Sequence, residues 1–330
     1  MRKAIRRWIN LYHRTRTLLS WTRDHIFNMR CNKMVSRIRL GPDGLRKLSA
    51  SIPDQFKTPD GQTEALALAT GVLRVFLGSE WVERHVISDN SKKGFLSVKE
   101  DDPIRREISF FRLMDLAEML WNLQRIPGFD ECIWRMRNGD IEGTLAELNV
   151  GRMLYLNKIP FRFVIPQGVK KKDYDFDIIC PNGQVVCADA KCKIDETSFS
   201  EGGIREAFRV ARGQLPNDKP GIIFVKVPEH YLSDPSFQDK SIELAQRFLG
   251  GASRIASVKY YVEPIRFSAN VMRIDLAYKE VSNPRTDFGI DVDWNLFRKH
   301  YLPPQAYGMP PHYQRIILSR FRIGPPNGQG

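Results

Sequence analysis

Several things are scarce in this 330-residue chain. No apolar run approaches the roughly 20 residues that span a bilayer, so no membrane partner is expected. The apolar stretches are likewise too short for a secretory signal. Cys31, Cys132, Cys180, Cys187 and Cys192 are few and odd in number, which suits a reduced compartment better than a disulfide framework. Three of them crowd between positions 180 and 192, but Cys-x6-Cys-x4-Cys without a nearby His lacks zinc-ligand spacing. The histidines (His13, His25, His85, His230, His300, His312) are scattered and none lies in a nucleophile motif, so Ser/His/Asp or Cys/His catalysis has little support. Internal repeats and long low-complexity tracts are missing as well.

Acid is scarce at the N-terminus. Residues 1–47 carry thirteen Lys and Arg against Asp24 and Asp43, a local excess of +11 in a chain whose net charge is +13. Such a block suits a polyanion, because neutralising phosphates releases counterions. Trp8, Tyr12, Trp21 and Phe27 are interleaved with it and are able to stack on bases. A mitochondrial transit peptide and a basic helix laid on the protein's own surface both compete with that reading. A cytoplasmic, nucleoid-associated location is expected, with mitochondrial targeting left open.

The length allows a main domain and an accessory region. Residues 1–100 read as a basic, mainly helical region, with a helix over 4–28, a loop and boundary at Gly41-Pro42-Asp43-Gly44, an apolar helix over 61–77 and a polar loop over 86–102. Residues 101–280 form the main α/β domain, opening with a long helix after Asp102-Pro103. Residues 281–330, rich in Pro, Gly and aromatics, read as an extension laid over it.

The main domain is organised around residues 170–193, KKKDYDFDIICPNGQVVCADAKCK. Two strands, Tyr174–Cys180 and Val185–Cys192, flank Asn182-Gly183, a strong hairpin signal because both residues tolerate positive φ. The strands carry Asp175, Asp177, Asp189 and Lys191 among apolar neighbours, and buried charges are costly unless paired or bound to metal. Alternation puts Asp189, Lys191 and Lys193 on one face. A strict two-residue turn pairs Asp177 with Ala188 and turns it away from Asp189. A three-residue loop or a bulge would place Asp177 opposite Asp189, so a bulge or a break is expected at one of these positions; a regular ladder with Asp177 pointing away would leave Asp175 no better placed.

A helix over 140–157 precedes the hairpin, with Glu147 at its middle; Glu142 lies about 140° round and does not serve the same site. An ordinary solvent-facing glutamate is the plain alternative. A strand over 159–164 follows. After the hairpin, a helix over 201–213 buries Ile204, Ala207, Phe208 and Ala211, lines its other side with Arg205, Arg209 and Arg212, and ends at Gly213 as a cap with Gln214 beyond. Strand 220–227 is wholly apolar, as a strand buried on both faces should be. A helix over 239–249 and strands over 256–264 and 267–278 complete the order.

This succession (helix with Glu147, strand, Asp177, Asp189-Ala190-Lys191, helix, apolar strand) resembles the PD-(D/E)xK nuclease superfamily over roughly residues 140–230. The resemblance implies a restriction-endonuclease-like mixed β-sheet core flanked by helices, and a Mg²⁺- or Mn²⁺-dependent hydrolase of DNA phosphodiesters. It implies that Asp177 and Asp189 hold the metal, Glu147 supports it, and Lys191 assists the attacking water, with Gln214 a further polar residue of the site. The candidate nucleic-acid contacts are Arg2, Lys3, Arg6, Arg7, Lys170, Lys171, Lys172, Lys193, Arg205 and Arg209. A homodimer would suit cutting both strands of a duplex. An inactive nuclease fold that binds nucleic acid or a partner, and a structural protein whose hairpin charges form a satisfied salt-bridge network, are the alternatives.

Overall fold

The computed structural model describes residues 39–56, 62–87, 96, 103–169, 171–195, 197–263, 265–268, 271–274, 277–286 and 288. The helix expected over 4–28, most of the 86–102 loop and most of the 281–330 extension lie outside the described residues. The chain divides into two compact units, the first built mainly on residues up to Arg125 and the second mainly on Ile126–Arg266 and 273–304.

The first unit is helical where described. Helix α1 (Pro42–Ala50) occupies the stretch expected as a loop at Gly41-Pro42-Asp43-Gly44. The correction has a local cause: Pro42 sits in the first turn, where its missing N–H costs nothing, and buried Leu45 anchors the helix. Helix α2 (Gln62–Leu77) ends at Gly78, whose φ of 96° breaks it before the single turn α3 (Ser79–Val82). Helix α4 (Pro103–Leu123), assigned by sequence to the main domain, belongs to this unit and packs against α2. Beyond it, Gln124 clasps the backbone of Leu40, accepting from its N–H at 2.7 Å and donating to its carbonyl at 3.1 Å.

The second unit is α/β. Its elements are α5 (Phe129–Arg137), α6 (Ile141–Leu156), β1 (Phe161–Phe163), β2 (Phe176–Ile179), β3 (Val185–Cys192), α7 (Glu201–Gln214), β4 (Gly221–Lys226), α8 (Pro235–Gly250), β5 (Ile255–Val262) and β8 (Ala277–Ser282); the strands β6 (Ile265–Ser268) and β7 (Val271–Ile274), which come between β5 and β8 in sequence, are divided between the two units. Six strands form one open mixed sheet in the order β1-β2-β3-β4-β5-β8. The β3-β4 and β4-β5 pairs are parallel and the others antiparallel. All of β4 is buried, as its apolar run predicts.

Alternation along the strands divides the core. Cys187, Ile223, Val225 and Tyr260 face α7 and α8, packing with Ile204, Phe208, Phe237 and Leu244. Tyr261, the next residue on β5, points the other way and donates to the Ala146 carbonyl of α6 at 3.2 Å. Helices therefore cover both faces.

Helix starts follow capping chemistry. Ser200 caps α7 by accepting from Gly203 N. Asp234 caps α8 by accepting from Ser236 N and Phe237 N, and with Pro235 behind it the helix begins a turn earlier than expected. Gly213 is not the end of α7: the helix runs to Gln214, and extended Leu215 stops it. Gly128, at φ 84°, is required before α5, because a Cβ there would lie 2.2 Å from the Phe163 carbonyl oxygen. Phe163 N also donates to Pro127 O at 2.9 Å, so β1 and the start of α5 are held together.

Candidate active site

The hairpin register decides which side chains meet. Cys180 N donates to Gln184 O and Gly183 N to Cys180 O, both at 2.9 Å, so Pro181-Asn182-Gly183 is a three-residue loop with Gly183 at φ 82°. That loop pairs Ile179 with Val185, Asp177 with Cys187 and Phe176 with Ala188. Asp177 is thus not opposite Asp189, contrary to expectation; the loop shifts the ladder in the other direction. The regular pairing then fails at Asp175. Its N–H donates at 3.0 Å to Ala188 O, the residue that Phe176 already faces, which leaves Asp175 as the extra residue of a β-bulge. Bulges re-aim side chains, and here the Asp175 carboxylate accepts from Ala190 N at 2.6 Å, between Asp189 and Lys191.

Asp177 is occupied elsewhere. One oxygen takes Arg162 Nε and Nη2 at 2.8 and 2.6 Å, and the other takes the Tyr174 hydroxyl at 2.8 Å. With both oxygens engaged it is badly placed to ligate a metal, and the carboxylate beside Asp189 is that of Asp175 instead. Sequence conceals this exchange because the bulge depends on the loop's hydrogen bonds, which the Asn-Gly signal alone does not specify.

Around Asp175 the charges converge. Asp189 on β3 is fully buried, and both of its oxygens lack a well-aligned hydrogen-bond donor. What faces it is the Lys191 ammonium, 2.6 Å from Oδ1. Lys191 also donates to Gln214 Oε1 at 2.5 Å, and Gln214 Nε2 donates onward to the Asp173 carbonyl at 3.0 Å. Gln214, at the end of α7, thereby fixes where the lysine points. Glu147 enters from α6. At 4% exposure it is not an ordinary solvent-facing glutamate. Arg135 of α5 grips both its oxygens at 2.6 and 2.5 Å, a partner that nothing but its basic side chain marks in the sequence.

The electrostatics are strained towards protonation. Burial, then the charge of Asp175, push Asp189 up to about 8 despite Lys191. The same two causes push Glu147 to about 8 against the pull of Arg135. Burial also raises Asp175, opposed by Lys191 and the Ala190 N–H. Lys191, which burial alone would depress, is raised by Asp189 and Asp175 and so stays an ammonium. Three carboxyls that resist ionisation therefore surround one lysine.

The other expected residues are dispersed. Lys193 donates to Gly203 O at 2.7 Å and anchors the start of α7. Arg205 pairs with Glu201 at 2.7 Å and Arg209 with Glu206, so the outer stripe of α7 is largely neutralised, although such exposed pairs are weak and exchange partners readily. Lys171 and Lys172 lie in the β1–β2 loop. Lys170, Arg2, Lys3, Arg6 and Arg7 lie outside the described residues. The described cysteines are free; burial raises Cys187 and Cys192 to about 12, which leaves them poor nucleophiles.

Among the described residues no three His, Cys, Asp or Glu side chains gather as a metal-holding group. The donor chemistry of Asp175 and Asp189 nonetheless fits a hard divalent cation, which needs only one or two carboxylates when water and phosphate complete its shell. The under-bonded oxygens of Asp189 are the specific observation in favour.

Comparison with known proteins does not extend this picture. No family model, curated protein or solved structure matches the chain. No described helix is long and apolar enough to cross a membrane.

Proposed function

We propose that the protein is a metal-dependent nuclease hydrolysing phosphodiester bonds in DNA, on a restriction-endonuclease-like core of the PD-(D/E)xK type. The observation that carries this reading is the bulge at Asp175, which brings a second carboxylate beside Asp189 and Lys191. The element order from α6 through β1, β2, β3 and α7 to β4 supports it.

Asp175 and Asp189 are the residues that would hold Mg²⁺ or Mn²⁺, which supplies a lowered pKa for a bound water and neutralises charge on the phosphorane oxygens. Lys191 remains protonated, so it orients the attacking water and donates to developing negative charge rather than accepting a proton. Its side chain is 20% exposed, so the lysine is not sealed off from solvent as Asp189 is. Gln214 restricts the lysine to one direction, the positioning that an in-line attack needs. Glu147, held on both oxygens by Arg135, would support the metal site from α6.

One observation favours a second reading. Asp189 and Lys191 already contact each other, as they would in a purely structural salt-bridge network. The two readings separate on cleavage of labelled single-stranded, duplex and branched DNA with Mg²⁺, Mn²⁺ or EDTA. Metal-dependent cleavage that disappears in Asp189→Ala and Lys191→Ala, with DNA binding retained, supports the nuclease. Binding without cleavage on every substrate leaves an inactive nucleic-acid-binding module, and no binding leaves the structural network.

A further inference from the structure

The β1–β2 loop (Val164–Tyr174) presents an unusual combination of residues next to the site. Ile165 is 60% exposed and Val169 is 44% exposed, four residues apart in one loop. Between and after them stand Gln167, Gly168 and the run Lys170-Lys171-Lys172, three lysines against the single Asp173. The loop is nevertheless built rather than slack. Gln167 N donates to Asp173 Oδ1 at 2.7 Å, Lys172 N donates to Val169 O at 3.0 Å, and Val164 N donates to Asp175 O at 2.9 Å. Gly168 and Lys171 both take left-handed backbone, at φ 68° and 67°, a conformation that is unfavourable for Lys171 and that a merely solvated loop has no reason to keep.

Asp173 belongs to two networks at once. Its carboxylate closes the loop on Gln167, and its carbonyl accepts from Gln214 Nε2 at 3.0 Å while Gln214 Oε1 holds Lys191. The loop is therefore joined to the Lys191 ammonium through Asp173 and Gln214.

We propose that this loop is the arm by which the protein engages its nucleic acid, Lys171 and Lys172 meeting backbone phosphates and Ile165 and Val169 lying against bases or sugars. Polyanion chemistry fits the lysines, and an aliphatic pair set among them fits the apolar edge of unstacked bases better than it fits a uniformly charged surface. Loop occupancy then bears on Lys191 through Asp173 and Gln214. The proposal rests on the nuclease reading only for this last link, since a loop can bind DNA in a protein that does not cut it.

The test measures binding of a labelled DNA duplex and a labelled single strand in EDTA across a salt series, which removes cleavage from the readout. Wild type is compared with Lys171→Gln/Lys172→Gln and with Ile165→Ser/Val169→Ser, each checked for an unchanged unfolding temperature. The lysine pair is expected to lower the slope of log affinity against log salt by about two, one for each phosphate no longer neutralised. The aliphatic pair is expected to weaken binding several-fold at an unchanged slope. An unaltered slope and affinity in both variants, or no DNA binding by wild type, overturns the proposal. Loss of binding in the variants alongside a wild type that never cleaves would retain the arm and reject the nuclease.

Discussion

Asp175 and Asp177 sit two residues apart, one just before β2 and one on it, and the structure treats them oppositely. Asp177 is satisfied on both oxygens by Arg162 and Tyr174, and it lies opposite the thiol of Cys187. Asp175 is thrown out of the ladder by a bulge and faces Asp189, a carboxylate whose oxygens lack aligned donors. A charge that folding has already paired stabilises the fold; a cluster left short of positive charge keeps a demand for something outside the chain. On the nuclease reading proposed above, that contrast makes Asp177 the structural acid and Asp175 the functional one.

The contrast is sharpened most by cleavage. Asp175→Asn and Asp189→Asn are each expected to lower metal-dependent cleavage by about 10³-fold or more, whereas Asp177→Asn leaves it within a few-fold. Gln214→Ala releases Lys191 from its amide partner without removing the ammonium, and single-turnover rates are expected to fall by about 10- to 100-fold with little change in DNA affinity.

On stability the order reverses. Asp177→Ala removes the carboxylate acceptor of the buried Tyr174 hydroxyl and is expected to lower the unfolding free energy by about 1–3 kcal/mol in urea denaturation, the exposed Arg162 adding little. The smallest effect is on pH. Asp189 and Glu147 bind their protons more tightly when folded, so the stability they contribute is fully present below their ordinary values of 3.8 and 4.5 and is lost as pH rises towards about 8. Metal-free protein should therefore unfold more readily at pH 8 than at pH 5, and Asp189→Asn should flatten that slope. Mg²⁺ or Mn²⁺ should raise the unfolding temperature more at pH 8 than at pH 5, where protons compete for the same oxygens.

Much of the α/β unit was legible in the sequence because its signals are local. The apolar run of β4, the buried stripe of α7 and the Asn182-Gly183 turn each announce themselves within a dozen residues, and the structure carries all three. The candidate site was legible in part. Glu147, Asp189, Lys191 and Gln214 are brought into one neighbourhood, but Asp177 pairs with Cys187 and not with Asp189, since one residue of loop length moves every pairing and nothing in the composition reports a bulge. Arg135 was missed for a different reason: its contact with Glu147 joins two helices whose mutual approach is set by Gly128 against β1, a long-range condition no periodicity encodes. Pro42 misled because a Gly-Pro-Asp-Gly run reads as a loop although proline also suits a first helical turn, and Gly213 because the helix runs one residue past it to Gln214.

The most direct test of the central claim places Asp175→Asn and Asp177→Asn side by side in one Mg²⁺- and Mn²⁺-dependent DNA cleavage assay, with folding verified for both. Loss of cleavage in Asp175→Asn with activity kept in Asp177→Asn is the predicted result. Activity kept in Asp175→Asn, whatever Asp177→Asn does, would contradict it.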